Sequence, residues 1–109
     1  MKDRFWKINK EKLNKTNIAL YSNFIENNYK INLHNDYNLL WKWSVDHNEI
    51  FWKSIWDFTK VKGNLGKVFL KKSEVFFKNK FFPDSKLNYA ENILSKNNDD
   101  LAIIFKSEN

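Results

Sequence analysis

The sequence predicts a mainly α-helical chain with one short β segment near its C-terminus, incomplete as a domain. Three observations carry this. Between residues 16 and 58, apolar side chains recur at three- and four-residue spacing behind capping residues. From Gly63 to Pro83 the pattern breaks up without a clean period. Finally, LAIIF at 101–105 is a nearly continuous apolar run, as in a strand covered on both faces, and no clear partner strand precedes it.

Residues 1–15 are lysine-rich with scattered apolar positions and read as an exposed, poorly ordered basic leader. Thr16 is placed to cap a helix in which Ile18, Tyr21 and Ile25, flanked by Leu20 and Phe24, share a face; the pattern fades at Asn27–Asn28. Asp36 can cap a short second helix carrying Tyr37, Leu40 and Trp41. Asp46 and Glu49, three apart before an apolar run, resemble a capping box with Asp46 as the cap. On the helix that follows, Phe51, Ile55 and Phe58 form one line and Trp52 and Trp56 another beside it, with Glu49, Lys53, Asp57 and Lys60 opposite. So wide an apolar arc suits a helix wedged between two surfaces.

Gly63 and Gly66 bracket a turn, and residues 67–82 read as irregular or short extended structure ended by Pro83. LNYAENIL (87–94) reads as a helix with Leu87, Ala90, Ile93 and Leu94 inward, NNDD (97–100) as a loop, and LAIIFKSE (101–108) as a strand. The organisation is then a leader (1–15), a helical region (16–96), and a loop with the start of a truncated α/β domain (97–109).

Composition removes several functions. Without cysteine there is no disulfide framework, thiolate nucleophile or cysteine-ligated zinc. MKDRFWKINK carries no apolar core of a secretory signal, and no run approaches the roughly 20 apolar residues that span a bilayer. These features point to a cytoplasmic chain with no membrane partner. The net charge of +6 invites a nucleic-acid reading, but Arg4 is the lone arginine, and the excess of Lys, Asn, Ile and Phe matches AT-rich coding. Four of the five tryptophans lie between residues 36 and 66, where four basic and four acidic residues cancel. A stacking platform for single strands interleaves aromatics with positive charge, so these aromatics read as core or interface, with no nucleic-acid partner.

No catalytic constellation is present. Gly63-Asn64-Leu65-Gly66 is too sparse for a phosphate-binding loop. His34 with Asp36 and His47 with Glu49 make a poor metal set and suit surface or capping roles, and Ser44 near His47 lacks a third member to orient them.

The order YNLLWKWSVDHNEIFWKSIWDF, FFPDSKLNYAENIL, DDLAIIFKSE resembles the N-terminal segment of the acetoacetyl-CoA synthetases (acetoacetate–CoA ligases), and more distantly that of acetyl-CoA synthetases. Tyr37, Leu40, Trp41, Trp43, Ser44, Val45, Phe51, Trp52, Trp56, Asp57, Phe58, Phe82, Pro83, Leu87, Asn88, Tyr89, Ala90, Glu91, Asn92 and Glu108 stand in the family's places. Ile8 stands where it has a proline and Phe81 where it has a tryptophan. The resemblance implies a segment of an adenylate-forming enzyme that uses ATP, Mg²⁺ and CoA. The implied phosphate loop, adenine and Mg²⁺ contacts, hinge and catalytic lysine have no counterpart in these residues, so no catalytic, cofactor-binding or metal residue is assigned. The expected role is an inactive fragment whose interface residues Trp41, Trp43, Phe51, Trp52, Ile55, Trp56, Phe58, Phe82, Leu87 and Tyr89 pack on the remainder of the catalytic domain, in cis or, for a freestanding docking module, in trans.

Overall fold

Local capping chemistry sets most element boundaries in the computed structural model, which describes residues 6–108. Asn9 accepts a hydrogen bond from the Glu11 amide (2.8 Å) and starts helix α1, Lys10–Asn14. Part of the expected loose leader is therefore helical; residues 1–5 of it lie outside the described residues. Thr16 accepts from the Ala19 amide (3.3 Å) and opens α2, Asn17–Tyr29, which ends at Lys30 with φ +53°. Asp36 accepts from the Asn38 amide (2.8 Å) and opens α3, Tyr37–Asp46. Both caps are those the sequence predicts.

The third cap is not. Asp46 remains the last residue of α3 and takes the Lys42 ammonium at 3.0 Å. His47 closes α3 through its amide to the Trp43 carbonyl (2.9 Å) and opens α4, Asn48–Phe58, without a side-chain cap. The physical reason is the i,i+4 pair: Lys42 engages the carboxylate along α3, so the helix runs one residue further than a capping box allows.

Tyr21, Ile25, Leu33 and Leu40 form the buried core, with Phe24, Tyr29, Ile31, Trp43, Phe51, Ile55 and Phe58 partly buried against it. Beyond α4 the structure thins. Strands β1 (Leu70–Lys71) and β2 (Lys80–Phe81) pair antiparallel, Leu70 opposite Phe81 and Lys71 opposite Lys80, around a 3-10 turn at Phe76–Lys78. Asn64 and Lys86 form a separate antiparallel bridge, with amide-to-carbonyl distances of 2.7 and 2.9 Å. It draws Gly63 (φ +151°) so close that a Cβ there would lie 2.8 Å from the Lys86 carbonyl, which only glycine tolerates. Asn88 caps the last helix, α5 (Tyr89–Ile93).

Two expectations for the C-terminal part fail. Leu87, Ala90, Ile93 and Leu94 are exposed rather than inward. Residues 101–108 form no strand: the segment has no regular structure and no strand partner among the described residues, and Leu101, Ile103, Ile104 and Phe105 are exposed. A strand is made by its neighbours, and none of the described residues pairs with this segment. The radius of gyration is 18.9 Å, against about 13 Å for a compact domain of this length.

Phe82 is a bulky residue held at φ +47°, in the left-handed region that side chains of its size rarely adopt. It is held by the hydrogen bond its amide donates to the Phe69 carbonyl (2.9 Å) and by ring contacts with Trp56 and Phe69. Phe82→Gly and Phe82→Ala both lose the ring, but only glycine relaxes the backbone. Urea unfolding should find the glycine variant more stable than the alanine variant by about 1 kcal/mol. The opposite order would mean that φ at this position is not positive.

Candidate interaction surface

Helix α4 presents two apolar lines, and each meets a different part of the chain. On the first, Phe51 and Phe58 flank Tyr21 of α2, with ring centroids at 6.2 and 5.2 Å and edge-on geometry. Phe58 also meets Phe24 at 5.5 Å, and Trp43 of α3 closes the end against Tyr29 (5.7 Å) and Phe51 (6.3 Å). Aromatic pairs at these distances add to simple burial. On the second line, Trp52 meets Phe81 at 5.9 Å and Trp56 meets Phe82 at 5.6 Å, joining the β1–β2 hairpin to the helices. The wide arc is thus a wedge within this chain.

The ten residues expected at an interface divide accordingly. Trp43, Phe51, Ile55 and Phe58 line the chain's own core. Trp52 and Trp56 meet the hairpin, Trp56 through Phe82 itself, with Trp52 remaining 44% exposed. Trp41, Leu87 and Tyr89 face outward with no such partner among the described residues.

A buried polar pair sits inside the wedge. Ser54 is fully buried, and its hydroxyl donates to the Phe51 carbonyl at 2.6 Å. With that single proton committed, the Tyr21 hydroxyl, 2.6 Å away, donates to Ser54 Oγ. Burial pushes the Tyr21 phenol above its ordinary pKa, while the bond to Ser54 acts in the opposite sense and is smaller. A group whose folded pKa exceeds its unfolded value of about 10 stabilises fully below pH 10, and loses that contribution as pH rises through the folded pKa. Stability should therefore fall above about pH 10, and less steeply in Tyr21→Phe. Lys53, raised by its hydrogen bond to Asp57, contributes a remaining slope of the same sign. Denaturant midpoints at pH 8 to 11 check this; identical slopes would contradict it.

Sequence reasoning missed the role of Asn92. Its side chain accepts from the Lys62 amide (2.7 Å) and donates to the Lys62 carbonyl (2.9 Å), clamping α5 to the turn after α4. With Asn88 as cap, it gives both asparagines of Leu-Asn-Tyr-Ala-Glu-Asn a structural task. No sequence pattern marks it, because its partner lies thirty residues away.

The polar side chains weighed for chemistry take structural partners among the described residues. Ser44 donates to the Trp41 carbonyl (2.7 Å), His47 stacks on Trp43 (6.2 Å), and Asp36 acts as a cap. Among the described residues no group of three or more His, Asp or Glu could hold a metal ion, and no helix is long and apolar enough to cross a membrane. A groove of about 490 Å³ runs between α1, α2 and the start of α3, lined by Leu13, Ile18 and Tyr37 with Lys10 and Asp36.

The geometry is a helical wedge with its own small core and a large uncovered apolar remainder. Sequence comparison finds it similar to part of a class of CoA synthetases. The chain is related, more particularly, to the acetoacetyl-CoA synthetases. It is 37% identical over 73 residues to acetoacetyl-coenzyme A synthetase of Rhizobium meliloti (67% of this chain, 11% of the relative). It is 33% identical over 91 residues to acetoacetyl-CoA synthetase of Xenopus tropicalis, and 34% over 94 residues to that of Danio rerio (each 81% of this chain, 13% of the relative). The matched part thus spans only about one-eighth of these relatives' length. No protein-family model matches the chain, and no solved structure does.

Proposed function

We propose that this chain is the N-terminal part of an acetoacetate–CoA ligase, inactive alone. In the complete enzyme, acetoacetate attacks ATP with Mg²⁺ to give acetoacetyl-adenylate and pyrophosphate, and the CoA thiol then displaces AMP to give acetoacetyl-CoA. The observation that carries the reading is the pattern of coverage: most of this chain, but 11–13% of each relative. The extended shape and the unpaired 101–108 segment support it, since both suit residues completed by further structure. Residues 16–96 act as the helical region, and 97–109 lead into the α/β catalytic domain of a cytoplasmic enzyme. Acetoacetate-dependent ATP–pyrophosphate exchange tests this. The 109-residue chain should show none and the polypeptide continuing into the catalytic domain should show it. Exchange by the chain alone, or none by the longer polypeptide, overturns the proposal.

A second reading, a freestanding docking module for a separately encoded ligase core, is favoured by the chain's own buried cluster of Tyr21, Ile25, Leu33 and Leu40.

A further inference from the structure

The uncovered surface with the most distinctive chemistry is the β1–β2 hairpin. Its tip carries two adjacent phenylalanines, Phe76 and Phe77, 87% and 81% exposed. The tip is held by its own hydrogen bonds. The Ser73 amide donates to Asn79 Oδ1 (2.7 Å), the Lys78 amide to the Val75 carbonyl (2.9 Å), and the Asn79 amide to the Phe76 carbonyl (3.1 Å). The rings are thus presented on an ordered turn. Behind them, residues 67–86 carry six lysines against Glu74 and Asp84. Lys71 and Lys80 stand directly opposite each other across the two strands, an arrangement that like charges disfavour. The three ion pairs among the described residues engage Lys15, Lys42 and Lys53, so none of the hairpin lysines is neutralised in this way.

An ordered apolar tip with a collar of unneutralised positive charge fits an apolar pocket with an acidic rim. We infer that the Phe76–Phe77 tip is an anchor that docks the chain onto such a pocket on the remainder of the ligase polypeptide. Two observations choose this occupant. Seven-eighths of each relative's length has no counterpart in this chain, so a large covering surface accompanies the matched segment there. The tryptophan line of α4, the other obvious anchor, is already engaged by Phe81 and Phe82. The inference rests on the ligase reading and moves its docking contact from the tryptophan helix to the hairpin. Buried aromatics ringed by complementary charge are the usual anchors of such contacts.

Amide hydrogen exchange tests it, comparing the 109-residue chain with the polypeptide that continues into the catalytic domain. Amides of residues 74–79 should exchange at least about tenfold more slowly in the longer polypeptide. Phe76→Ser/Phe77→Ser should abolish that protection, and Lys71→Glu/Lys80→Glu or a rise from 0.05 to 0.5 M salt should weaken it. Equal exchange in both polypeptides overturns the inference. So does protection that appears only when phosphatidylserine vesicles or single-stranded DNA are added to the chain, which would assign the tip to those partners. ATP–pyrophosphate exchange in the same samples keeps the two claims apart: activity with unprotected tip amides sinks the anchor alone, and protection without activity sinks the ligase reading alone.

Discussion

Ile25→Ala should destabilise the chain by about 3–4 kcal/mol, the largest effect of any single truncation in the helical core. Ile25 is fully buried on α2 and belongs to the cluster with Tyr21, Leu33 and Leu40, which come from α2, the following turn and α3. Alanine removes three carbons from a site walled by residues of separate elements, which cannot all collapse inward. The better helix propensity of alanine returns only about 0.4 kcal/mol. Because few apolar side chains are fully buried in this chain, the loss is a large share of its stability. Denaturant unfolding followed by tryptophan fluorescence measures it, and a cost below about 1 kcal/mol, that of an ordinary surface change, would mean that this cluster is not the core.

Trp56→Ala should cost about 3 kcal/mol and Trp52→Ala about half that. The two residues lie on the same line of α4 but differ in cover. Trp56 is partly buried against Phe82, which Phe69 backs at 6.3 Å, whereas Trp52 meets Phe81 with nearly half its surface in solvent. The rings join the hairpin to the helices, so loss of Trp56 should also loosen the tip. A double-mutant cycle of Trp56→Ala with Phe82→Ala should show a coupling of about 1 kcal/mol. Equal costs for the two tryptophans, or no coupling, would contradict the division of α4 into two working faces.

The helices of this fold were legible because their signals are local. Thr16 and Asp36 each cap the helix that follows through their own side chains, and the spacing of Phe51, Ile55 and Phe58 beside Trp52 and Trp56 announced a wedge. The occupant of the second face was not legible, because Phe81 and Phe82 reach Trp52 and Trp56 from a hairpin whose two-residue strands leave no period to read. Asp46 failed as a cap because a competing partner, Lys42, lay one turn back on the preceding helix. The clamp of Asn92 on Lys62 joins residues thirty apart and has no sequence pattern of its own. LAIIF carries a strand's composition, yet composition supplies no neighbour, and without one the segment stays irregular and unpaired. For the surface, the charge excess of residues 67–86 was visible from the start. What the structure added is that Lys71 faces Lys80 and that two phenylalanines crown the same turn.

The most direct test of the central claim, that this chain is one part of a larger ligase, is the intact mass of the native polypeptide that carries it. The account predicts a mass several times the 13.2 kDa of these 109 residues, in a species with acetoacetate-dependent exchange activity. A native species of 13.2 kDa that neither carries nor recruits a ligase core would contradict it.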